Sequence, residues 1–344
     1  MKIYTFLTAL LMLISFSNAK EISILQFNIW QEGTSVKGGF DKIIDVIIAS
    51  KADIVALSEV RNYKKQDLHK RLVEALAAKG HKFYGEFAGG DAGLISRFPI
   101  IKSFKISDRT DKDRGCVIGY RLKVDDKEIV VASAHLDYRH YSVYLPRGYN
   151  GGNPNFKMID NDGDGNPDPV KDVAKIIEYD QKSVRDECLR EFVKFANENK
   201  DVPVILAGDF NESSHLDWTE STKNMFDHNG VVVPWPNSKL LFKNGMTDAF
   251  RELYPNPVTH PGMTWPSTAF GKKTTTWTPK ADERDRIDFV YYNKKELKAV
   301  EAILVGPDTY CLKESTVKSD EKFLLKDMPW PSDHKGLQVK FELK

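Results

Sequence analysis

Eight residues of the 344-residue chain have the types and positions to do chemistry together: Asn28, Glu59, His135, Asp209, Asn211, Asp288, Asp333 and His334. Most of them stand where a short apolar run stops. Leu25-Gln26-Phe27 runs into Asn28, Val55-Ala56-Leu57-Ser58 into Glu59, and Val131-Ala132-Ser133-Ala134 into His135. Ile205-Leu206-Ala207-Gly208 runs into Asp209, with Asn211 two residues on, while Asp288 opens a run and Ser332-Asp333-His334 precedes the last one. A single polar strand end says little, because strand ends are wet. Six such ends, all titratable or metal-competent, point to side chains converging on one ligand, as they do at strand ends in sheet proteins. Glu59, Asp209, Asp333, Asn28 and Asn211 offer hard oxygen donors with no cysteine among them, a set that suits Mg²⁺, Mn²⁺ or Ca²⁺ better than structural Zn²⁺. Two histidines can exchange protons near neutral pH. A cation with an acid and a base is the equipment for in-line displacement at phosphorus.

The elements that must position these residues are legible as periodicity. Ile22 to Ile29, Ile54 to Leu57, Ile129 to Ala134, Val202 to Ala207 and Ile287 to Tyr292 read as strands buried on at least one face. Asp41 to Ser50, Lys64 to Lys79 and Gln181 to Asn197 carry apolar residues at helical spacing. Helices between strands predict an α/β or α+β class with sheet at the centre. There is no internal repeat. Residues Arg139 to Lys171, rich in Gly, Asn, Pro and Asp, have no period and read as a long surface insertion. The Pro-, Trp- and Thr-rich stretch from Phe226 to Trp277 reads as loops over a site more than as core.

Ser-Ala-His-Leu at 133–136, Gly-Asp-Phe-Asn at 208–211, Arg-Ile-Asp at 286–288 and Ser-Asp-His at 332–334, with Asn28 and Glu59, make the chain resemble the endonuclease/exonuclease/phosphatase superfamily over nearly its whole length. The resemblance implies an α/β four-layer sandwich, two facing mixed β-sheets flanked by helices, as one catalytic domain over residues 20–344. It implies Mg²⁺ (or Mn²⁺) held by Glu59 with Asn28 and Asp333, directly or through water. Asp209 and Asn211 would hold the attacking water and a phosphoryl oxygen, Asp288 would orient His334, and His135 would assist the leaving group. Whether Asp209 or His334 takes the water's proton stays open. Ser58 stands where many members have Gln. Asp91 either orients His135 or is an ordinary turn carboxylate, the second being the expectation.

Residues 1–19, with Lys2, an apolar run from Ile3 to Phe16 and the exit Ser17-Asn18-Ala19, have the order of a secretory signal peptide. The run is shorter than the roughly 20 residues of a membrane span. The expected protein is therefore exported, periplasmic or extracellular, with no transmembrane segment after cleavage, and acts as a monomer. Removing Lys2 takes 50 basic and 49 acidic side chains to 49 of each. That neutrality gives no broad reason to bind polyanions, since nonspecific nucleic-acid affinity comes from Lys and Arg. Cys116, Cys188 and Cys311 are too few for a disulfide scaffold, leaving at most one bridge of unassigned pairing. Asp160, Asp162, Asp164 and Asp168 alternate through the insertion with Gly at the sixth position, as a Ca²⁺ loop requires, but Lys171 at the twelfth rules out an EF-hand. Arg61, Tyr138, Trp265 and Trp277 are candidates for substrate contact. Together these readings predict an exported Mg²⁺-dependent phosphodiesterase or phosphatase for a small organic phosphate, a phosphoinositide or a phospholipid headgroup. A secreted nuclease is the alternative. A noncatalytic binding protein would show a broken residue set, and every position here is filled. A calcineurin-type metallophosphatase would need an Asp-x-His near the first strand and a later Gly-Asn-His, and the chain has neither in place.

Overall fold

A computed structural model describes residues 20–344 apart from 113, 153–155 and 274–275, so the leader segment 1–19 lies outside the described residues. The strands are β1 (Lys20–Asn28), β2 (Ile54–Ser58), β3 (Tyr84–Gly85), β4 (Ala92–Ser96), β5 (Ile100–Asp108), β6 (Gly115–Val124), β7 (Lys127–Leu136), β8 (Val204–Asp209), β9 (Thr247–Asp248), β10 (Asp288–Tyr292), β11 (Leu297–Val305), β12 (Thr309–Leu312), β13 (Ser315–Lys318), β14 (Phe323–Leu324) and β15 (Gly336–Leu343). One sheet has the order β14-β11-β15-β1-β2-β4-β3, and a second has β5-β6-β7-β8-β10-β9. Both are mixed: β1 runs parallel to β2 and antiparallel to β15, and β7 runs parallel to β8 while β8 and β10 are antiparallel.

Strand alternation sorts the side chains into layers. Ile22 and Ile24 of β1, Ile54 and Ala56 of β2, and Leu94 of β4 point into a core shared with Ile118, Tyr120, Val131, Ile205 and Val290 of the second sheet. Their neighbours Leu25, Phe27, Val55 and Leu57 point outward beneath α1 (Gly39–Ser50) and α2 (Leu68–Ala78). Val130, Ala132, Leu206 and Phe289 do the same beneath the helix at Arg185–Glu198, against its Leu189 and Phe192. The result is helix, sheet, sheet, helix, the four-layer sandwich the sequence resemblance implied.

Three expectations need correction. The helix expected over Lys64–Lys79 begins at Leu68, because a 3-10 turn at Tyr63–Lys65 with Lys64 and Lys65 at positive φ breaks the chain first, and the Asp67 carboxylate then caps Lys70 N. The helix expected over Gln181–Asn197 begins at Arg185, after a separate helix, Val173–Asp180, has ended. The insertion is no mere surface loop: Tyr141, Val143, Tyr144 and Tyr149 are buried with Trp218, Val233 and Trp235 in a fourth apolar cluster, and Arg147 lies fully buried on Asp285. That packing is built from aromatics and a paired guanidinium, with no repeat that periodicity could detect. The three cysteines are all free and buried. Cys116 sits between the sheets and Cys188 on the inner face of the helix at Arg185–Glu198 outside the second sheet, in different layers.

Candidate active site

Strand register gathers the site. Asn28 of β1 pairs with Ser58 of β2, which places Glu59 at the same edge of the first sheet. His135 of β7, Asp209 of β8 and Asp288 of β10 lie side by side at the edge of the second, through the pairs His135↔Asp209 and Asp209↔Asp288. The edges are stitched together. Ser58 Oγ donates to Ala134 O (2.9 Å) and accepts from Asp209 N (3.3 Å), and Ser332 Oγ donates to Asn28 O (2.6 Å). Ser58 thus ties sheet to sheet at the point where both present their functional residues. All eight sequence-predicted residues meet at this edge or in the cavity above it.

Two histidine–carboxylate pairs face each other across Asp209. His334 Nδ1 lies 2.9 Å from Asp288 Oδ2, and Asp288 Oδ1 accepts from Gln26 Nε2 at 2.7 Å. His135 Nδ1 lies 2.8 Å from Asp91 Oδ2, which also meets Arg61 Nη1 at 2.9 Å. Each histidine is thereby left with Nε2 toward Asp209, at 3.7 Å from His334 and 4.0 Å from His135. Burial works against a charge on either ring. Asp91, Asp209 and Glu59 nevertheless push His135 up to about 9, and Asp288 with Asp209 and Asp333 pushes His334 up to about 10. Burial, with the Asp288 charge adding to it, raises Asp209 to about 6 against the pull of the two histidines.

Asp91 was expected to be an ordinary turn carboxylate, and instead it positions His135. The available signal was pairing: β2 and β4 are antiparallel with Ser58 opposite Ala92, so Asp91 lies opposite Glu59. Gln26 was missed as the group that orients Asp288, because a buried mid-strand glutamine gives no motif.

Asn28 reaches the centre by its nitrogen. Its Oδ1 accepts Trp30 N at 2.9 Å, a bond only the oxygen can make, which turns Nδ2 toward Glu59 Oε1 (3.2 Å) and Asp209 Oδ2 (2.9 Å). Glu59 accepts Gln31 N at 2.8 Å through its other oxygen and sits at φ 67°, a conformation a glutamate rarely adopts unless its surroundings impose it. Asn211, also at positive φ, donates its backbone N–H to Asp209 Oδ1 (2.9 Å) and one side-chain amide proton to Leu136 O (3.1 Å).

The donor chemistry fits a divalent cation between Glu59 and Asp333. Asp333 Oδ1 is buried with no hydrogen-bond partner, and burial together with the Glu59 and Asp209 charges pushes its carboxyl up to about 8. A cation there would satisfy the stranded oxygen and relieve the repulsion. Asp209, Asp288 and His334 also bring ligand atoms within 4.8 Å of one another. In that trio Asp288 holds Nδ1 of the imidazole, which leaves Nε2 as the ring atom facing Asp209.

Above this floor opens a cavity of about 510 Å³. Arg61, Tyr138, Trp265 and Trp277, the candidates for substrate contact, all line it, with Tyr141, Tyr144 and Phe156 from the insertion. Trp235, by contrast, is fully buried core. In the insertion, Asp160, Asp162 and Asp168 bring carboxylate oxygens within 4.8 Å of one another, while Asp164 turns to Asn166 instead.

The family model described as the Endonuclease/Exonuclease/phosphatase family matches residues 25–334. An uncharacterized protein of Caenorhabditis elegans is 31% identical over 289 residues, covering 81% of this chain and 80% of that protein. Two solved structures share the fold. D. rerio TDP2 complexed with a single-strand DNA product has a TM-score of 0.52 at 17% identity, covering 93% of this chain and 98% of that one. Truncated C. elegans TDP2 has a TM-score of 0.52 at 15% identity, covering 94% and 98%. The site that register assembles from distant strand ends thus lies within the span that the family model matches, and the chain belongs to the endonuclease/exonuclease/phosphatase family of metal-dependent phosphoester hydrolases.

Proposed function

We propose that this protein is an exported, Mg²⁺-dependent phosphodiesterase or phosphatase acting on a small organic phosphate or a phospholipid headgroup. The observation that carries the reading is the buried set of Glu59, Asp333, Asp209 and two carboxylate-held histidines at the floor of one cavity of about 510 Å³, a size suited to a small ligand. Glu59 and Asp333 would hold the cation, which when bound polarises a phosphoryl oxygen. Asn28 acts through its amide nitrogen, keeping the Glu59 and Asp209 carboxylates apart and oriented. Asp209 and His334 face the water that attacks phosphorus, with Asp288 and Gln26 fixing the His334 ring. His135, held protonated by Asp91, gives its Nε2 proton to the departing oxygen. The Asn211 amide has a second proton free of Leu136 to meet a phosphoryl oxygen.

The cavity lining favours a substrate of low charge. Among its described residues only Arg61 carries a permanent positive charge, and that charge is paired with Asp91. A phosphoinositide bearing several phosphates would find too few cations. A nuclease is the alternative reading, in keeping with a fold shared with a DNA-bound protein, and a basic groove outside the cavity would serve it. Export rests on the order of charge, apolar run and small-residue exit in residues 1–19, and no helix of the described residues is long and apolar enough to cross a membrane. Asp160, Asp162 and Asp168 form the proposed Ca²⁺ loop that orders the insertion.

A substrate panel in one Mg²⁺ buffer tests the reading: a model monoester, a model diester, a phospholipid, an inositol phosphate and plasmid DNA. Complete plasmid cleavage at low enzyme concentration sinks the small-substrate reading. Absence of hydrolysis with either Mg²⁺ or Mn²⁺, or an unchanged rate in His334→Ala, sinks catalysis itself. Fractionating cells that express the chain with and without residues 1–19 tests export.

A further inference from the structure

Strand register brings Asn28 and Glu59 to one edge, but the turn that follows β1 decides how their side chains are held. Trp30, Gln31, Glu32 and Gly33 succeed one another at φ 41°, 55°, 57° and 72°. Glycine takes such backbone freely, whereas three consecutive residues with side chains keep it only where their surroundings hold them there. The turn delivers two donors to the site. Trp30 N donates to Asn28 Oδ1 at 2.9 Å, and Gln31 N donates to Glu59 Oε2 at 2.8 Å. Glu59 begins a second segment of the same kind, in which Asn62, Lys64 and Lys65 also lie at positive φ, from 49° to 58°.

Glu32 fastens these two segments together. It is buried, and each of its carboxylate oxygens has a separate task. Oε1 accepts the backbone N–H of Asn62, three residues beyond Glu59, at 2.5 Å. Oε2 accepts Arg71 Nη1 of α2 at 3.1 Å, and that guanidinium lies over the Phe40 ring of α1, 4.6 Å from its centroid. Asn62 in turn accepts Leu68 N, at the first residue of α2, on its Oδ1 at 2.9 Å. The Arg71 contact joins helix to helix, as a buried ion pair between two elements does. The Asn62 contact does something else. It pins the segment that carries Glu59 to the residue next to Gln31, whose N–H holds the Glu59 carboxylate.

A carboxylate that binds a cation is itself held by hydrogen-bond partners, and loss of such a partner loosens the cation. Gln31 can serve Glu59 only while the turn stays left-handed, and of the three side chains in the turn only that of Glu32 is buried. We infer that Glu32 is a positioning residue for the cation site: it locks the turn against Asn62 and so keeps the Gln31 N–H on Glu59. The inference rests on the proposed cation at Glu59 and Asp333, and it is read by binding, without turnover.

Electron paramagnetic resonance of free Mn²⁺ gives the Kd directly, in an Asp160→Asn background that weakens the acidic loop of the insertion as a competing site. Glu32→Gln keeps the shape but sets an amide NH₂ against one of the two donors. We expect it to raise the Mn²⁺ Kd by about tenfold or more. Glu32→Asp, too short to span Asn62 and Arg71 together, should raise it by about fivefold or more and carries the test if the glutamine variant does not fold. Arg71→Met keeps the packing on Phe40 and removes only the helix contact, so it should lower the urea midpoint and leave Kd within about twofold of the parent. A folded Glu32 variant with the parent's Kd overturns the positioning role. So does a rise in Arg71→Met equal to that in Glu32→Gln, because affinity would then follow the helix contact. A parent that binds no Mn²⁺ overturns the cation site and the positioning role with it. Mn²⁺ affinity that depends on Glu32 in a protein that hydrolyses no phosphoester supports the positioning role and counts against the hydrolase reading alone.

Discussion

Replacing Asp91 with Asn removes a charge and keeps the shape, and its consequences separate a catalytic acid from a structural ion pair. Burial opposes the Asp91 charge, but His135, Arg61 and the Cys116 thiol hold its carboxyl below the ordinary carboxylate range. On the partner, a rise from the ordinary 6.5 to about 9 corresponds to about 3 kcal/mol of net preference for the protonated ring. Without Asp91, burial dominates and His135 should lose its proton below neutrality. The raised pKa of His135 contributes stability that is full below 6.5 and lost as pH rises through about 9. The depressed pKa of Asp91 contributes stability that is present above its ordinary value and lost as pH falls through the folded one. The pair therefore stabilises most between about pH 4 and 6.5. Urea unfolding should place Asp91→Asn about 3 kcal/mol below the parent at pH 6, with the gap narrowing by pH 9.5. Kinetics add the discriminating test. An alkoxide leaving group needs a proton from His135, whereas p-nitrophenolate departs without one. Asp91→Asn should lower kcat for an alkyl phosphodiester by about 10² to 10³ and for a p-nitrophenyl diester by less than about tenfold. The basic limb of the alkyl pH profile should move from near 9 to below 7. Equal losses with both leaving groups, or an unmoved basic limb, would refute the assignment of His135 as the acid.

Glu59→Gln should lower kcat by about 10³ or more and weaken Mn²⁺ binding measured by electron paramagnetic resonance, because a neutral amide replaces the principal proposed ligand. Asp288→Asn should cost about 10² to 10⁴ in kcat with an unchanged circular dichroism spectrum, since the Gln26 side is preserved in shape while His334 Nδ1 loses its carboxylate. Gly208→Ala should lower stability by about 2 kcal/mol or more in urea, because a Cβ there collides with the carbonyl of Ala134 in the paired strand. EGTA should lower the thermal midpoint of the Mg²⁺-loaded protein and added Ca²⁺ should restore it. Asp160→Asn should abolish that response.

What the sequence reveals of this site depends on whether a residue acts at the end of its own element or through a distant one. Glu59, His135 and Asp209 are legible because an apolar strand stops at or beside each, and register then brings the stops together; Asp333 is legible because it stands just before the last strand. Gln26 and Asp91 do comparable work, yet each acts on a residue far away in sequence, Gln26 on Asp288 and Asp91 on His135. Nothing local distinguishes them from a buried strand glutamine and a turn carboxylate. Asn28 was legible as a participant but not in its orientation, which is set by the Trp30 backbone N–H two residues on. The insertion is the extreme case. Its buried rings follow no period, and Arg147 would pass for a surface residue until Asp285 is seen beside it. The same difference divides chemistry from selectivity. The reacting groups sit on strands whose pattern the shared fold dictates. The cavity walls hang from an aperiodic segment that is positioned by aromatic contacts, a buried guanidinium and a buried glutamate. Substitutions at Tyr144, Phe156 or Trp277 should therefore change which ester is cleaved, while substitutions at the strand ends change whether any is.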